Sequence, residues 1–138
     1  MNQTIIAVDP GREKCGIAVV HKQKGVLTQK VIHTTELNSI VQQLIADYHT
    51  SIVVIGDRTS SREAKDSLEQ IKIAHQPLVV TLVDEHHSTD EARRRYWIEN
   101  PPRGFKRLIP VTMQVPPKPV DDYVAVILAE RYFAKKVQ

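Results

Sequence analysis

The stretch Thr4-Ile5-Ile6-Ala7-Val8-Asp9-Pro10-Gly11 begins the part of the sequence that decides the fold, and it is typical of a buried strand stopped by a turn. After a connection that contains glycine, residues 15–21 are predicted to form a second strand. A polar turn at 22–25 separates it from a third strand over 26–33. Three strands this close together, joined by short turns, favour an antiparallel meander.

The rest of the chain alternates between helical and strand patterns. Strands are predicted over 51–56 and 78–83, and helices over 36–48, 61–74, 88–100 and 120–133, the first and last of them with an apolar face. Capping-box spacing of Ser60 with Glu63 and of Ser88 with Glu91 marks two of the helix N-termini. Pro77 blocks continuation of the second helix, and Pro119 suits the first turn of the last.

The order βββ-α-β-α-β-α-α predicts an α/β fold whose five-stranded mixed sheet has three antiparallel and then two parallel strands, with helices on both faces. A length of 138 residues fits one domain over 1–138. No apolar run approaches the ~18 residues of a membrane span, and no secretory signal is recognised. With a single cysteine, Cys15, a reducing cytoplasm is expected.

The net charge of +3 is unevenly distributed along the chain. Residues 93–118, which we call the basic segment, contain seven cations and one acid, a charge of +6. The remaining 12 cations and 15 acids give −3. The cations of the segment are Arg93, Arg94, Arg95, Arg103, Lys106, Arg107 and Lys118. Such a segment favours binding to a phosphate backbone, although a solvated helix face followed by a loop would have the same composition.

Three aromatic residues lie among these cations: Tyr96, Trp97 and Phe105. Aromatic rings beside arginines suit stacking on unpaired bases. Trp97 fits a core position on its helix equally well. Residues 101–119, rich in proline and basic residues, are predicted to form a long loop, and such loops are often functional.

Acidic residues lie where the predicted elements end or begin: Asp9, Asp57, Asp84, Glu85, Asp121 and Asp122. The carboxyl ends of parallel strands lie on one edge of a sheet, where ligand sites of open α/β sheets form. Clustered carboxylates favour a cation, and Mg²⁺ prefers hard oxygen ligands. Two such ions ~3.5–4 Å apart can activate a water and stabilise the leaving oxygen of a phosphodiester. Taken singly, Asp9 also suits a turn, and Asp121 and Asp122 suit a helix N-terminus.

Three motifs resemble those of the YqgF/RuvX family. Residues 8–19, VDPGREKCGIAV, resemble its opening motif D-x-G-x-K/R-x-x-G-x-A-V, with Gly11 and Gly16 in the first hairpin. Residues 84–93, DEHHSTDEAR, look like its motif D-E-R-x-[ST]-T-x-x-A, and residues 120–128, VDDYVAVIL, look like its closing helix. The motifs come in the family order and spacing and bracket nearly the whole chain.

The resemblance implies an RNase H-like fold in which Asp9, Glu85 and Asp121 are the catalytic, metal-binding acids. Asp84 would be an accompanying position and Asp122 a spare carboxylate. The implied activity is Mg²⁺- or Mn²⁺-dependent hydrolysis of nucleic acid with two ions. Its implied substrate is precursor 16S rRNA or a Holliday junction, and the sequence does not distinguish DNA from RNA. The sequence is compatible with a monomer or a homodimer.

Two departures from the family pattern open a second interpretation. His86 stands where the family has an arginine, and histidine is charged only part of the time near neutral pH. After the fourth strand the family has G-L-P, whereas this chain has Gly56-Asp57-Arg58. Asp57 either joins the acidic site or belongs to the cap of the next helix. The alternative function is a catalytically weak or inactive nucleic-acid-binding module of the same fold.

Overall fold

A computed structural model describes residues 3–57, 60–73 and 76–137. The strands are β1 (Thr4–Asp9), β2 (Lys14–His21), β3 (Gly25–His33), β4 (Ile52–Gly56), β5 (Lys72–Ile73), β6 (Gln76–Pro77) and β7 (Val79–Val83). The helices are α1 (Leu37–Tyr48), α2 (Ser61–Glu69), α3 (Ser88–Glu99) and α4 (Asp121–Val137). Short 3₁₀ helices occupy Thr34–Glu36, Gly104–Leu108 and Val111–Met113.

The main sheet has five strands in the order β3-β2-β1-β4-β7. β2 pairs antiparallel with both β1 and β3, because these three strands are joined by short turns. β4 lies parallel to β1, and β7 lies parallel to β4, each following a helical crossover. The predicted five-stranded mixed sheet is therefore confirmed.

The two faces of the sheet bury separate apolar clusters because side chains alternate along each strand. On β1, Ile6 and Val8 face one cluster, together with side chains of α1 and α2. Ile5 and Ala7 face the other, together with side chains of α3 and α4. Helices cover both faces, as predicted, and the carboxyl ends of β1, β4 and β7 share one edge.

Three predicted element boundaries are wrong. The helix predicted over 61–74 ends at Glu69, because Ile71 is buried and its carbonyl accepts the amide of Leu78, which turns the chain into the small β5–β6 hairpin. Residue 74 itself lies outside the described residues. The last helix begins at Asp121 and continues to Val137, four residues beyond the predicted end.

Both predicted capping boxes are also wrong. Ser60 occupies the N-cap of α2, but its side chain makes no capping hydrogen bond. In α3 the N-cap is His87, in the left-handed conformation with φ 59°, so Ser88 is the first helical residue and is fully buried. Among the helices of the described residues, none is long and apolar enough to cross a lipid bilayer.

Candidate active site at the carboxyl edge of the sheet

Asp9 is the last residue of β1 and lies directly opposite Gly16 on β2. Its side chain follows four fully buried residues, and Asp9 itself is only 8% exposed. A strand that ends in a buried acid at the ligand-binding edge of an α/β sheet places a charged group where solvent is scarce.

Gly16 allows the start of α4 to contact β2 backbone to backbone. A Cβ atom at this position would overlap the carbonyl oxygen of Asp121. Only a glycine fits here, which gives a physical reason for the glycine in the opening motif. The contact places Asp121, in the first turn of α4, next to the strand pair that carries Asp9.

Gly56 leaves space for the side chain of Glu85. A Cβ atom at Gly56 would overlap the Glu85 carboxyl group, and Glu85 is only 2% exposed. In the parallel pairing of β1 with β4, Val8 lies opposite Ile55, so Asp9 and Gly56 are the next residues on neighbouring strands. The structure therefore brings Asp9, Glu85 and Asp121 to one edge, which we call the carboxylate edge.

Asp57 supports this edge through the backbone of Glu85. Its Oδ1 accepts the Glu85 amide at 3.1 Å, and its own amide donates to the Val83 carbonyl at 3.0 Å. Asp57 is otherwise exposed. The observed bond therefore gives it a role in holding the β7–α3 connection, a contact that neither sequence interpretation contains.

The other two predicted assisting acids also make structural contacts. Asp84 accepts the amide of His86 at 3.0 Å, and its carbonyl accepts Arg131 Nη1 at 2.7 Å. Asp122 Oδ2 accepts the side-chain amide of Gln29 at 2.9 Å, which ties α4 to β3. Both hold elements against the sheet, and their role as assisting ligands stays a prediction.

The donor set of the carboxylate edge suits a hard divalent cation. Asp9, Glu85 and Asp121 offer only carboxylate oxygens, the ligands that Mg²⁺ prefers. Within residues 3–57, 60–73 and 76–137, however, no three His, Cys, Asp or Glu side chains are grouped closely enough to hold one ion. Mg²⁺ is commonly bound by one or two carboxylates together with substrate phosphates, so the residues present fit this ion.

The cations of the basic segment differ in their surroundings. Arg95 makes a bidentate pair with Glu130 of α4, at 2.7 and 3.0 Å, and this hydrogen bonding raises the pKa of the guanidinium. The other six are exposed: Arg93, Arg94, Arg103, Lys106, Arg107 and Lys118. Their assignment to nucleic acid stays a prediction, and Arg95 also has a structural partner.

Tyr123 lies between the two regions, in the first turn of α4. Its hydroxyl accepts Asn100 Nδ2 at 3.3 Å and donates to Glu99 at 3.4 Å, both at the end of α3. Burial is the main cause that raises the pKa of the phenol, and the charges of Glu99 and Asp122 raise it further. The hydrogen bond from Asn100 opposes these effects.

Sequence reasoning missed Gly56, Gln29 and Arg131 as residues that shape the site. Arg131 Nη2 pairs with Glu91 at 3.0 Å while its Nη1 donates to the Asp84 carbonyl, so α4 is fixed both to the residue after β7 and to the first turn of α3. A glycine at the end of a predicted core strand is the signal that could have indicated Gly56. Nothing in the local sequence signals the other two.

The sheet order and the acids at the carboxyl ends of its strands define an RNase H-like α/β protein. The family model described as Tex protein YqgF-like domain matches residues 3–89, more than half of the chain. The chain belongs to this YqgF-like family, which confirms the resemblance found in the sequence.

Solved structures agree on the fold. T. thermophilus RuvC in complex with Holliday junction substrate matches with a TM-score of 0.56 and 14% identity, over 99% of this chain and 96% of that chain. The Thermus thermophilus RuvC structure matches with a TM-score of 0.50 and 13% identity, over 97% and 96%. No curated protein sequence matches. The chain thus has the fold of these RuvC structures.

Proposed function

We propose that this protein is a metal-dependent nuclease that hydrolyses phosphodiester bonds of structured nucleic acid. The observation that carries the proposal is the burial of two carboxylates, Asp9 at 8% and Glu85 at 2% exposed, at the end of β1 and just after β7, the two strands that flank β4. Burying a carboxylate is costly, and a cation is one way to offset that cost at a ligand-binding edge.

Each of the three acids has a distinct support in the chain. Asp9 is held by the β1–β2 ladder, and Glu85 by the hydrogen bond that its backbone amide donates to Asp57 Oδ1 and by its contact with Gly56. Asp121 is held by the contact of α4 with Gly16. We propose that these three residues together bind two divalent ions, either Mg²⁺ or Mn²⁺. When bound, such ions lower the pKa of water and stabilise charge on the leaving oxygen.

The basic segment supplies the binding part of the proposal. Its exposed cations would neutralise phosphates that flank the scissile bond, which is the ordinary role of arginine and lysine in nucleic-acid binding. The substrate class is branched DNA, such as a Holliday junction, or the 5′ region of precursor 16S rRNA. The proposal includes one domain over 1–138 in the cytoplasm, as a monomer or homodimer.

The decisive variant is Asp9→Asn, which keeps the size of the side chain and removes its charge. Several kcal/mol of charge stabilisation depend on the metal ligands, so cleavage should fall about 1000-fold. The measurement is a cleavage screen of branched DNA and precursor rRNA in Mg²⁺ and in Mn²⁺. Asp66→Asn, an exposed aspartate of α2, is the matched control and should cut like the parent.

An Asp9→Asn variant that folds and cuts either substrate as fast as the parent would contradict the mechanism. Circular dichroism and thermal unfolding of both variants establish that the fold is retained.

A non-catalytic nucleic-acid-binding module is the second candidate. One observation favours it: His86 stands where the family has arginine, and histidine is charged only part of the time near neutral pH. Its signature is a mobility shift with branched DNA or structured RNA and no cleavage in either metal. Salt sensitivity of binding is expected in both cases and does not separate them.

A further inference from the structure

Two cavities lie between α3 and the loop that follows it. One has a volume of about 290 Å³ and includes Arg93, Arg94 and Val111 in its lining. The other has a volume of about 640 Å³ and includes Arg103 and Lys106. Trp97 and Gln114 line both cavities. Trp97 is therefore part of the lining of both cavities.

The exposed surface of this indole is carbon. Trp97 is only partly buried, yet its Nε1 is buried and meets no hydrogen-bond acceptor among the residues that the structure describes. The ring packs edge-on against Tyr96, with ring centroids 5.1 Å apart. Packing alone therefore positions a flat apolar surface at the two cavities. A flat aromatic surface of this kind can stack on a nucleobase of any sequence.

Each of the two cavities is lined by a pair of cations. Arg93 and Arg94 border the smaller cavity, and Arg103 and Lys106 border the larger one. The two acids of these linings are engaged elsewhere. Asp90 lies 3.5 Å from His87 Nδ1, and Glu99 accepts the Tyr123 hydroxyl at 3.4 Å. An aromatic residue shared by two cavities, each with its own pair of cations, suits a base with flanking phosphates.

We propose that an unpaired nucleotide of a bound strand docks in these cavities, with its base on Trp97 and its flanking phosphates near the four cations. This inference rests on the proposed function and specifies its substrate: structured nucleic acid with at least one unpaired nucleotide near the cleavage site. The positive charge of the segment favours a nucleic acid over a protein partner. A base inside a duplex is stacked on both faces and cannot reach the ring.

Trp97 is the only tryptophan of the chain, so its fluorescence reports on this site alone. The experiment is a titration in EDTA with a single-stranded oligonucleotide of about 10 nucleotides, with the blunt duplex of the same sequence, and with dAMP. The single strand should quench Trp97 at a concentration at least ~10-fold below that needed by the duplex. Equal quenching by the duplex, or by dAMP at the same concentration, overturns the inference.

Two variants test the contacts. Trp97→Ala should weaken binding of the single strand about 10-fold or more, followed by anisotropy of a labelled oligonucleotide. Lys106→Gln retains the fluorescent probe and should weaken quenching by the single strand. Lys24→Gln, at the exposed β2–β3 turn, removes the same charge from a surface outside both linings and should leave quenching unchanged. If Lys24→Gln and Lys106→Gln behave alike, the inference is wrong.

The outcomes separate this inference from the proposed nuclease. A protein that is quenched by the single strand but cuts nothing in Mg²⁺ or Mn²⁺ supports the docking site and overturns the nuclease. A protein that cuts but shows no quenching supports the nuclease and overturns the docking site. Absence of quenching together with capture of an acidic protein would assign this surface to a protein partner instead.

Discussion

The carboxylate edge and the basic segment are built in opposite ways. The edge consists of acids held by backbone contacts, with two glycines that permit close approach and an aspartate that fixes the Glu85 amide. The basic segment carries six exposed cations on one helix and on the loop that follows it, with Arg95 as its one cation held by a bidentate partner within the described residues. Positioning of reacting groups requires geometry fixed within a fraction of an ångström, whereas charge attraction acts over about a Debye length.

The largest effect is expected from charge removal inside the carboxylate edge. Glu85→Gln keeps the contact with Gly56 and removes the carboxylate, so cleavage of branched DNA or precursor rRNA should fall about 1000-fold. Affinity for the uncleaved substrate, measured by mobility shift in Ca²⁺, should change much less. Glu63→Gln, an exposed residue of α2, is the control. A large loss of affinity with unchanged cleavage would mean that Glu85 contributes to substrate binding and not to catalysis.

The next effect concerns the backbone contact that places α4. Gly16→Ala puts a Cβ atom into the carbonyl of Asp121, so the helix must shift or the strand must bend. Overpacking of this kind costs about 3 kcal/mol, the upper part of its usual range. Urea denaturation measures the free energy of unfolding. A loss below about 0.5 kcal/mol, the scale of an ordinary surface substitution, would show that the edge tolerates movement of α4.

A smaller effect is expected for exposed cations of the basic segment. The double variant Arg107→Gln/Lys118→Gln removes two charges, which should reduce the slope of log K against log salt by about 2 and weaken binding roughly 30-fold near 0.15 M salt. The cleavage rate at saturating substrate should stay within about twofold of the parent. An unchanged slope would exclude these two residues from phosphate contact.

Arg95 breaks the comparison, because it belongs to the basic segment by sequence and to the packing of α3 on α4 by structure. A double-mutant cycle of Arg95→Ala with Glu130→Ala should give a coupling of about 0.5–1 kcal/mol in the free energy of unfolding. The side chains are 33% and 47% exposed, so salt should weaken the coupling. If the coupling is zero and Arg95→Ala lowers the affinity for nucleic acid, the main role of Arg95 is in binding and not in helix packing.

The smallest effect lies at the junction of the two regions, at Tyr123. Its pKa is raised above the ordinary value of 10.0, chiefly by burial, so the folded state retains the phenolic proton more tightly than the unfolded chain. The resulting contribution to stability is present below the unfolded pKa of about 10 and is lost as pH rises through the raised pKa. Tyr123→Phe should flatten the fall of stability between about pH 9 and pH 11, measured by urea denaturation. If stability falls equally steeply with pH in the variant, a group other than Tyr123 causes the pH dependence.

The sheet was predictable because strand periodicity and short turns act locally. The apolar runs of β1, β2, β4 and β7 indicate strands that are buried on both faces, and the short turns indicate which of them pair antiparallel. Boundaries set by tertiary contacts were not predictable. Ser88 has the spacing of a cap, but the left-handed conformation of His87 makes it a buried first residue of the helix.

The candidate site divides in the same way. The positions of Asp9, Glu85 and Asp121 at element ends follow from the order of the strands and helices, and their assignment as ligands stays a prediction. The bond of Asp57 to the Glu85 amide and that of Gln29 to Asp122 join residues 28 and 93 positions apart. Local pattern contains no information about such pairs. The same holds for Arg95, whose partner Glu130 lies on another helix.

The close approach of Gly56 to Glu85 has a consequence for how deeply the acid can lie in the protein. A Cβ atom at position 56 would overlap the Glu85 carboxyl group where it now lies, so a larger residue there would require this side chain to turn away. The missing side chain of Gly56 is therefore the space that the buried Glu85 carboxyl group occupies.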